Sequence, residues 1–105
     1  MISHHVYFWF KPEYRTKAKR LEFEQGLDTL MEIDAVDEGH YGVPAKTEKR
    51  PVIEDGYDYA LMVKFGSVDD HDSYQEDPAH MRFVKRFESF WSEVRVYDVK
   101  LTSDQ

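Results

Sequence analysis

The sequence predicts an α+β fold of the ferredoxin-like type, β-α-β-β-α-β, built on a four-stranded antiparallel sheet. Three observations carry that reading. Strand-like and helix-like apolar periodicities succeed one another along the 105 residues in that order. Tyr57 to Phe65 alternates strictly, so Tyr57, Tyr59, Leu61, Val63 and Phe65 face one side of a strand. The first strand, by contrast, is apolar on both of its sides.

Each element can be justified in turn. His4 to Lys11 is aromatic and β-branched and closes at Pro12, which marks strand one. Glu13 to about Met31 carries apolar residues at helical spacing. Phe23, Leu27, Leu30 and Met31 share one face, while Tyr14, Ala18 and Leu21 fall nearly opposite. Either the helix begins after Ala18 or its first turns bury a different side. Val36 to about Ala45 is a weaker strand, in which Gly39 and Gly42 suggest a bulge or bend. Lys46 to Gly56 is a charged, solvated loop ending in the turn pair Asp55-Gly56, and Tyr57 to Phe65 is strand three.

Ser67-Val68-Asp69-Asp70 has the form of a capping box, with Asp in place of Glu, and opens a short helix to about Glu76. Its acidic residues Asp69, Asp70 and Asp72 suit a solvated first turn near the positive end of the helix dipole. Asp77 is the natural N-cap for a restart at Pro78 that runs to Trp91. Phe83, Val84, Phe87, Phe90 and Trp91 form its buried stripe. Glu93 to Leu101 is the last strand, and Thr102 to Gln105 reads as a frayed tail.

The alternation of strand one places His4, Val6, Phe8 and Phe10 on one face and His5, Tyr7 and Trp9 on the other. Ala60 and Met62 extend the second apolar face, and strand four sets Val94 and Val96 opposite Tyr97, Val99 and Leu101. Two helices cover only one face of such a sheet, so the other needs a second layer. The economical cover is a second copy, which predicts a homodimeric α/β barrel with sheets packed face to face.

Length and composition bound the rest. Residues 1–105 read as one domain, with 41% hydrophobic and 15% aromatic residues available for a core. A net charge of −7 argues against a nucleic-acid partner. There is no cysteine, hence no disulfide frame and no thiolate chemistry. No apolar run is long enough to span a membrane, and the N-terminus lacks the blocks of a signal peptide. The expected location is the cytoplasm.

The chemistry concentrates at Tyr74 to His80. Asp77 and Pro78 start a helix, which puts His80 in its first turn, where the helix dipole disfavours an imidazolium. A neutral His80 can accept a proton near pH 7, with the Tyr74 phenol as its partner. The competing reading makes His80 a structural residue bonded locally at the helix start. His4, facing the same way as Val6 and Phe8, is either a polar group in an apolar pocket or a satisfied core or interface histidine. His5, His40 and His71 show no ligand spacing, so neither a metal site nor a cofactor is expected, and haem has no signal either.

With these motifs placed, the chain resembles the stress-responsive A/B barrel (Dabb) family of dimeric α/β barrels. The residues that carry the likeness are His4, Phe10-Lys11, Gly56-Tyr57-Asp58-Tyr59-Ala60-Leu61, Ser73-Tyr74, Pro78-Ala79-His80, Phe90-Trp91 and Val96-Tyr97-Asp98. They cover nearly the whole chain. The resemblance implies a stress-related dimer and leaves the substrate open. A plant polyketide cyclase of the family works by aldol chemistry with a His and a Tyr and no metal or cofactor. By that resemblance His80 and Tyr74 are catalytic, and His4, with Val6 and Phe8 beside it, lines the pocket. The match departs at Asp77, where the cyclase has His, and in the more aromatic strand containing Phe8 and Trp9, which puts a long alkyl polyketide substrate in doubt.

Three functional expectations follow. The first is a cofactor-independent cyclase- or lyase-like catalyst on a small, largely apolar carbonyl compound. The second is a non-catalytic, stress-related dimer that binds an apolar ligand. The third is a cofactor-independent monooxygenase.

Overall fold

The computed structural model describes residues 1–102, so the expected tail from Ser103 onward lies outside the described residues. Strands β1 (Ile2–Phe10), β2 (Glu38–Gly42), β3 (Tyr59–Phe65) and β4 (Trp91–Lys100) form one sheet in the order β2-β3-β1-β4. All three pairings are antiparallel. Helix α1 (Lys17–Met31) joins β1 to β2, and α2 (Val68–Glu76) with α3 (Pro78–Phe87) joins β3 to β4. This is the expected ferredoxin-like fold, with its second helical region divided where Asp77 and Pro78 predict.

Neither alternative for the start of the first helix holds, because the stretch divides into two pieces. Pro12–Tyr14 is a separate 3₁₀ turn, and α1 begins at Lys17, capped by Thr16, whose hydroxyl accepts the Lys19 N–H at 3.2 Å. Tyr14 therefore escapes the helix periodicity and stacks on Phe90 with centroids 4.4 Å apart. Ala18 and Leu21 face solvent, while Phe23, Leu27 and Leu30 are buried.

Several expected boundaries move: β1 starts at Ile2 rather than His4, β2 at Glu38 rather than Val36, β3 at Tyr59 rather than Tyr57 and β4 at Trp91 rather than Glu93. The last helix stops at Phe87 and passes through a 3₁₀ turn, Glu88–Phe90, because Trp91 is already paired with Phe10 in the sheet. Strand β2 ends at Gly42 rather than Ala45, two residues before Pro44, which has no N–H to donate to a ladder. The bulge expected at Gly39 and Gly42 is absent: β2 runs in unbroken register against β3 from Glu38↔Lys64 to Gly42↔Ala60. Gly39 serves close packing instead, since a Cβ there would overlap the Met31 sulfur from α1.

One sheet face and the helices enclose the core. Phe10 and Phe23 meet edge to face at 4.9 Å, as do Phe23 and Phe87 at 5.3 Å. Gly26 lets α1 and α3 approach, because any Cβ there would run into the Phe87 ring. Below the core, the buried Asp58 carboxylate accepts the Phe10 N–H and the Arg20 guanidinium, each at 2.7 Å. These bonds tie the long loop to the end of β1, so β3 starts in register. Among the described residues no helix covers the other sheet face, where His5, Tyr7, Trp9 and Tyr97 line an open groove of about 610 Å³. Tyr57, expected on the same face as Tyr59, precedes β3 and lines this groove instead.

Candidate functional site

The helix-covered side of the sheet holds a cavity of about 420 Å³ between β1, β4, α2 and α3. Val6, Phe8, Leu61, Phe83, Val94 and Val96 supply apolar walls, and His4, His71, Tyr74, His80 and Asp98 supply polar groups. Strand parity explains the β-derived members. His4, Val6 and Phe8 pair across β1 and β4 with Asp98, Val96 and Val94, so all six point to the same face.

The helix break explains the other half. Tyr74 and His80 are six residues apart, which on one straight helix would separate them by about 120° around the axis. Asp77 interrupts the helix with φ −63° and ψ 134°, and its carboxylate caps α3 by accepting the Ala79 N–H at 2.8 Å. The change of direction brings the Tyr74 and His80 rings to 4.8 Å between centroids. His4 lies 6.0 Å from Tyr74 on the other side. The structure thus gathers all five sequence-predicted site residues, His4, Val6, Phe8, Tyr74 and His80, into one cavity.

Burial sets the protonation states. Tyr74 is 1% exposed, and desolvation lifts its phenol well above the ordinary value. His80 is held below the ordinary imidazole value, first by burial and then by nearby His4, with a hydrogen bond to the Gln75 backbone acting the other way. At neutral pH the cavity therefore offers a phenol that keeps its proton and an imidazole that lacks its second one. His4 is also lowered by burial, opposed by its hydrogen bond to Asp98.

Two polar members escaped sequence reasoning. His71 stands one helical turn before Tyr74 on α2, and its ring centroid is 5.2 Å from that of His4. Asp98 is the direct cross-strand partner of His4. An i, i+3 match to Tyr74 was the available signal for His71, and the parity of Asp98 with Val94 and Val96 was the signal for Asp98. Together His4, His71 and Asp98 bring one potential ligand atom each within 4.8 Å of one another, the metal-ligating group found among the described residues.

The stress responsive A/B barrel domain matches residues 2–101. The chain belongs to that family. Olivetolic acid cyclase from Cannabis sativa is 30% identical to this A/B barrel protein over 97 residues, spanning 92% of this chain and 93% of the cyclase. A solved protein of Arabidopsis thaliana aligns over 100% of this chain and 99% of its own, at 25% identity and a TM-score of 0.81. A hydroxynitrile lyase from Passiflora edulis aligns over 99% of this A/B barrel and 95% of its own chain, with TM-score 0.77. Its 20% identity speaks to fold alone. The same holds for a dimeric ferredoxin-like protein of Thermobifida fusca, at 17% identity over 95% of this chain and 90% of that one, with TM-score 0.77. No helix of the described residues is long and apolar enough to cross a membrane.

Proposed function

We propose that this protein is a homodimeric, cofactor-independent acid/base catalyst of the cyclase or lyase type, acting on a small, largely apolar carbonyl compound. The observation that carries the reading is the Tyr74–His80 pair, 4.8 Å apart at the wall of a mostly apolar cavity. Similarity to olivetolic acid cyclase over nearly the whole chain supports the same class of chemistry.

In this reading neutral His80 is the general base. It takes a proton from the carbon next to a carbonyl, and the C–H electron pair becomes the enolate. Tyr74, kept protonated by burial, donates a hydrogen bond to the enolate oxygen as charge develops there. The enolate carbon then attacks a second electrophile, or takes the proton back from His80. Val6 and Phe8 hold the apolar part of the substrate, and His4 orients its polar end. A positioned base contributes about 10²–10⁴-fold, which suits a substrate whose proton is already acidified by its carbonyl.

The homodimer is supported by the open sheet face, where Tyr97 and Val99 are exposed beside the Tyr7 and Trp9 groove. A dimeric relative of the same fold from Thermobifida fusca points the same way.

The test is deuterium exchange at the acidic carbon of a 2-alkyl-1,3-diketone in D₂O, followed by NMR. The protein should accelerate exchange, and His80→Ala and Tyr74→Phe should each remove most of the acceleration. A probe that shifts cavity resonances without exchanging faster would favour a ligand-binding dimer over an enzyme.

A further inference from the structure

His4, His71 and Asp98, at one end of the cavity, each bring one potential metal-ligand atom within 4.8 Å of the others. Asp98 Oδ1 accepts from His4 Nδ1, and the same oxygen faces His71 Nε2 at 3.7 Å. That second separation is too long for a hydrogen bond. It does match the distance between two atoms bound to one ion, since metal–ligand bonds of about 2.0–2.2 Å put neighbouring ligand atoms roughly 3–4 Å apart.

The other side of His71 strengthens the case. Its Nδ1 lies 3.0 Å from the Asp72 carboxylate, which only accepts, so Nδ1 carries the ring proton. Nε2, on the side facing Asp98, is buried without a hydrogen-bond partner. A carboxylate holding the far nitrogen of a histidine is the arrangement that orients histidine ligands in metal sites. His4, 3% exposed, is fixed by the sheet pairing, while the Asp98 side chain is 45% exposed and leaves a path for the ion and its remaining water ligands.

We infer that His4, His71 and Asp98 bind one late first-row divalent ion, of the zinc type, with at least one coordination position open to water. Two imidazoles and one carboxylate are a donor set suited to such ions, and three protein ligands leave the site open. Binding through Nδ1 of His4 replaces its hydrogen bond to Asp98 Oδ1, the two atoms moving apart around the ion, and the ring then carries its proton on Nε2. Asp72 is a positioning residue, acting through His71. The inference stands apart from the Tyr74 and His80 reading, because it requires no turnover.

Calorimetric titration with Zn²⁺ after chelator treatment tests it. The expected result is one equivalent per chain, lost in His71→Ala. Asp72→Asn should weaken binding by about 10–100-fold, the usual cost of losing such an outer partner. His40→Ala, on the opposite sheet face, should leave the titration unchanged. If His71→Ala fails to fold, His71→Gln, which keeps more of the ring's volume, takes its place with the same expectation. Retained stoichiometric binding in the His71 variant overturns the inference. So does a wild-type protein that takes up no zinc.

Discussion

The two faces of the sheet are made by the same strands and end in opposite conditions. On β1, His4, Val6, Phe8 and Phe10 are buried under the helices, whereas their immediate neighbours His5, Tyr7 and Trp9 are only partly covered. Edge strand β4 is open on both sides, with outward Tyr97 54% and inward Val96 51% exposed. The covered face holds a cavity, open along β4, in which burial keeps Tyr74 protonated and His80 neutral. The open face is broad, aromatic and shallow. One face perturbs titratable groups and suits chemistry; the other retains apolar surface and suits association with another copy.

Substitutions at matched positions test that division. Phe10→Ala, in the covered core, should lose about 3–5 kcal/mol in a urea or guanidinium unfolding series. Trp9→Ala, one residue away on the open face, should cost a protomer much less. Equal losses would mean that both faces are covered within one chain.

Tyr74→Phe should lower turnover by about 10²–10³-fold, the usual cost of removing one oxyanion donor, with the unfolding midpoint nearly unchanged. His80→Ala should likewise leave folding nearly intact, since it removes a polar group near a helix start. A large stability loss in either variant, with turnover falling only in proportion, would assign the pair a structural role. Gly26→Ala should cost about 1–3 kcal/mol, because the added methyl must push the Phe87 ring aside. Thermal unfolding followed by circular dichroism reads this directly.

Tyr97→Asp should change a protomer's own stability by less than about 1 kcal/mol, as surface replacements usually do, yet convert a dimer to a monomer in sedimentation. The smallest effect is in pH. His80 is held below the ordinary 6.5 by burial, facing His4, His71, Asp77 and the Gln75 backbone. Unfolded chains take up a proton at this residue that the native protein refuses, so stability is lost as pH falls below 6.5 toward the folded value. His80→Ala should flatten that part of the slope of urea midpoint against pH. An unchanged slope would place the proton taken up on unfolding at another residue.

Much of the site was legible because its signals are local. Asp77 and Pro78 announce a helix restart through cap chemistry that involves only the next two or three residues. The alternation of β1 and of Tyr59 to Phe65 assigns faces without knowledge of their partners, but it fails at Tyr57, which lies before β3 and packs against Tyr7 on the open face. The first helix was harder, since Tyr14 breaks the helical periodicity by belonging to a separate turn and Ala18 and Leu21 face solvent. Gly39 misled because a glycine in a strand signals either a bulge or a close neighbour, and the neighbour, Met31, arrives from another element.

Element order, face assignment and the Tyr74 to His80 constellation were thus set by interactions between residues close along the chain. The meeting of His4, His71 and Asp98 was not. It depends on β4 pairing with β1 in the one register that sets Asp98 opposite His4, and on α2 laying His71 over that pair. Register and helix placement come from burying Phe10, Phe23, Phe87 and Phe90 together, a many-body packing outcome that no single stretch of sequence encodes.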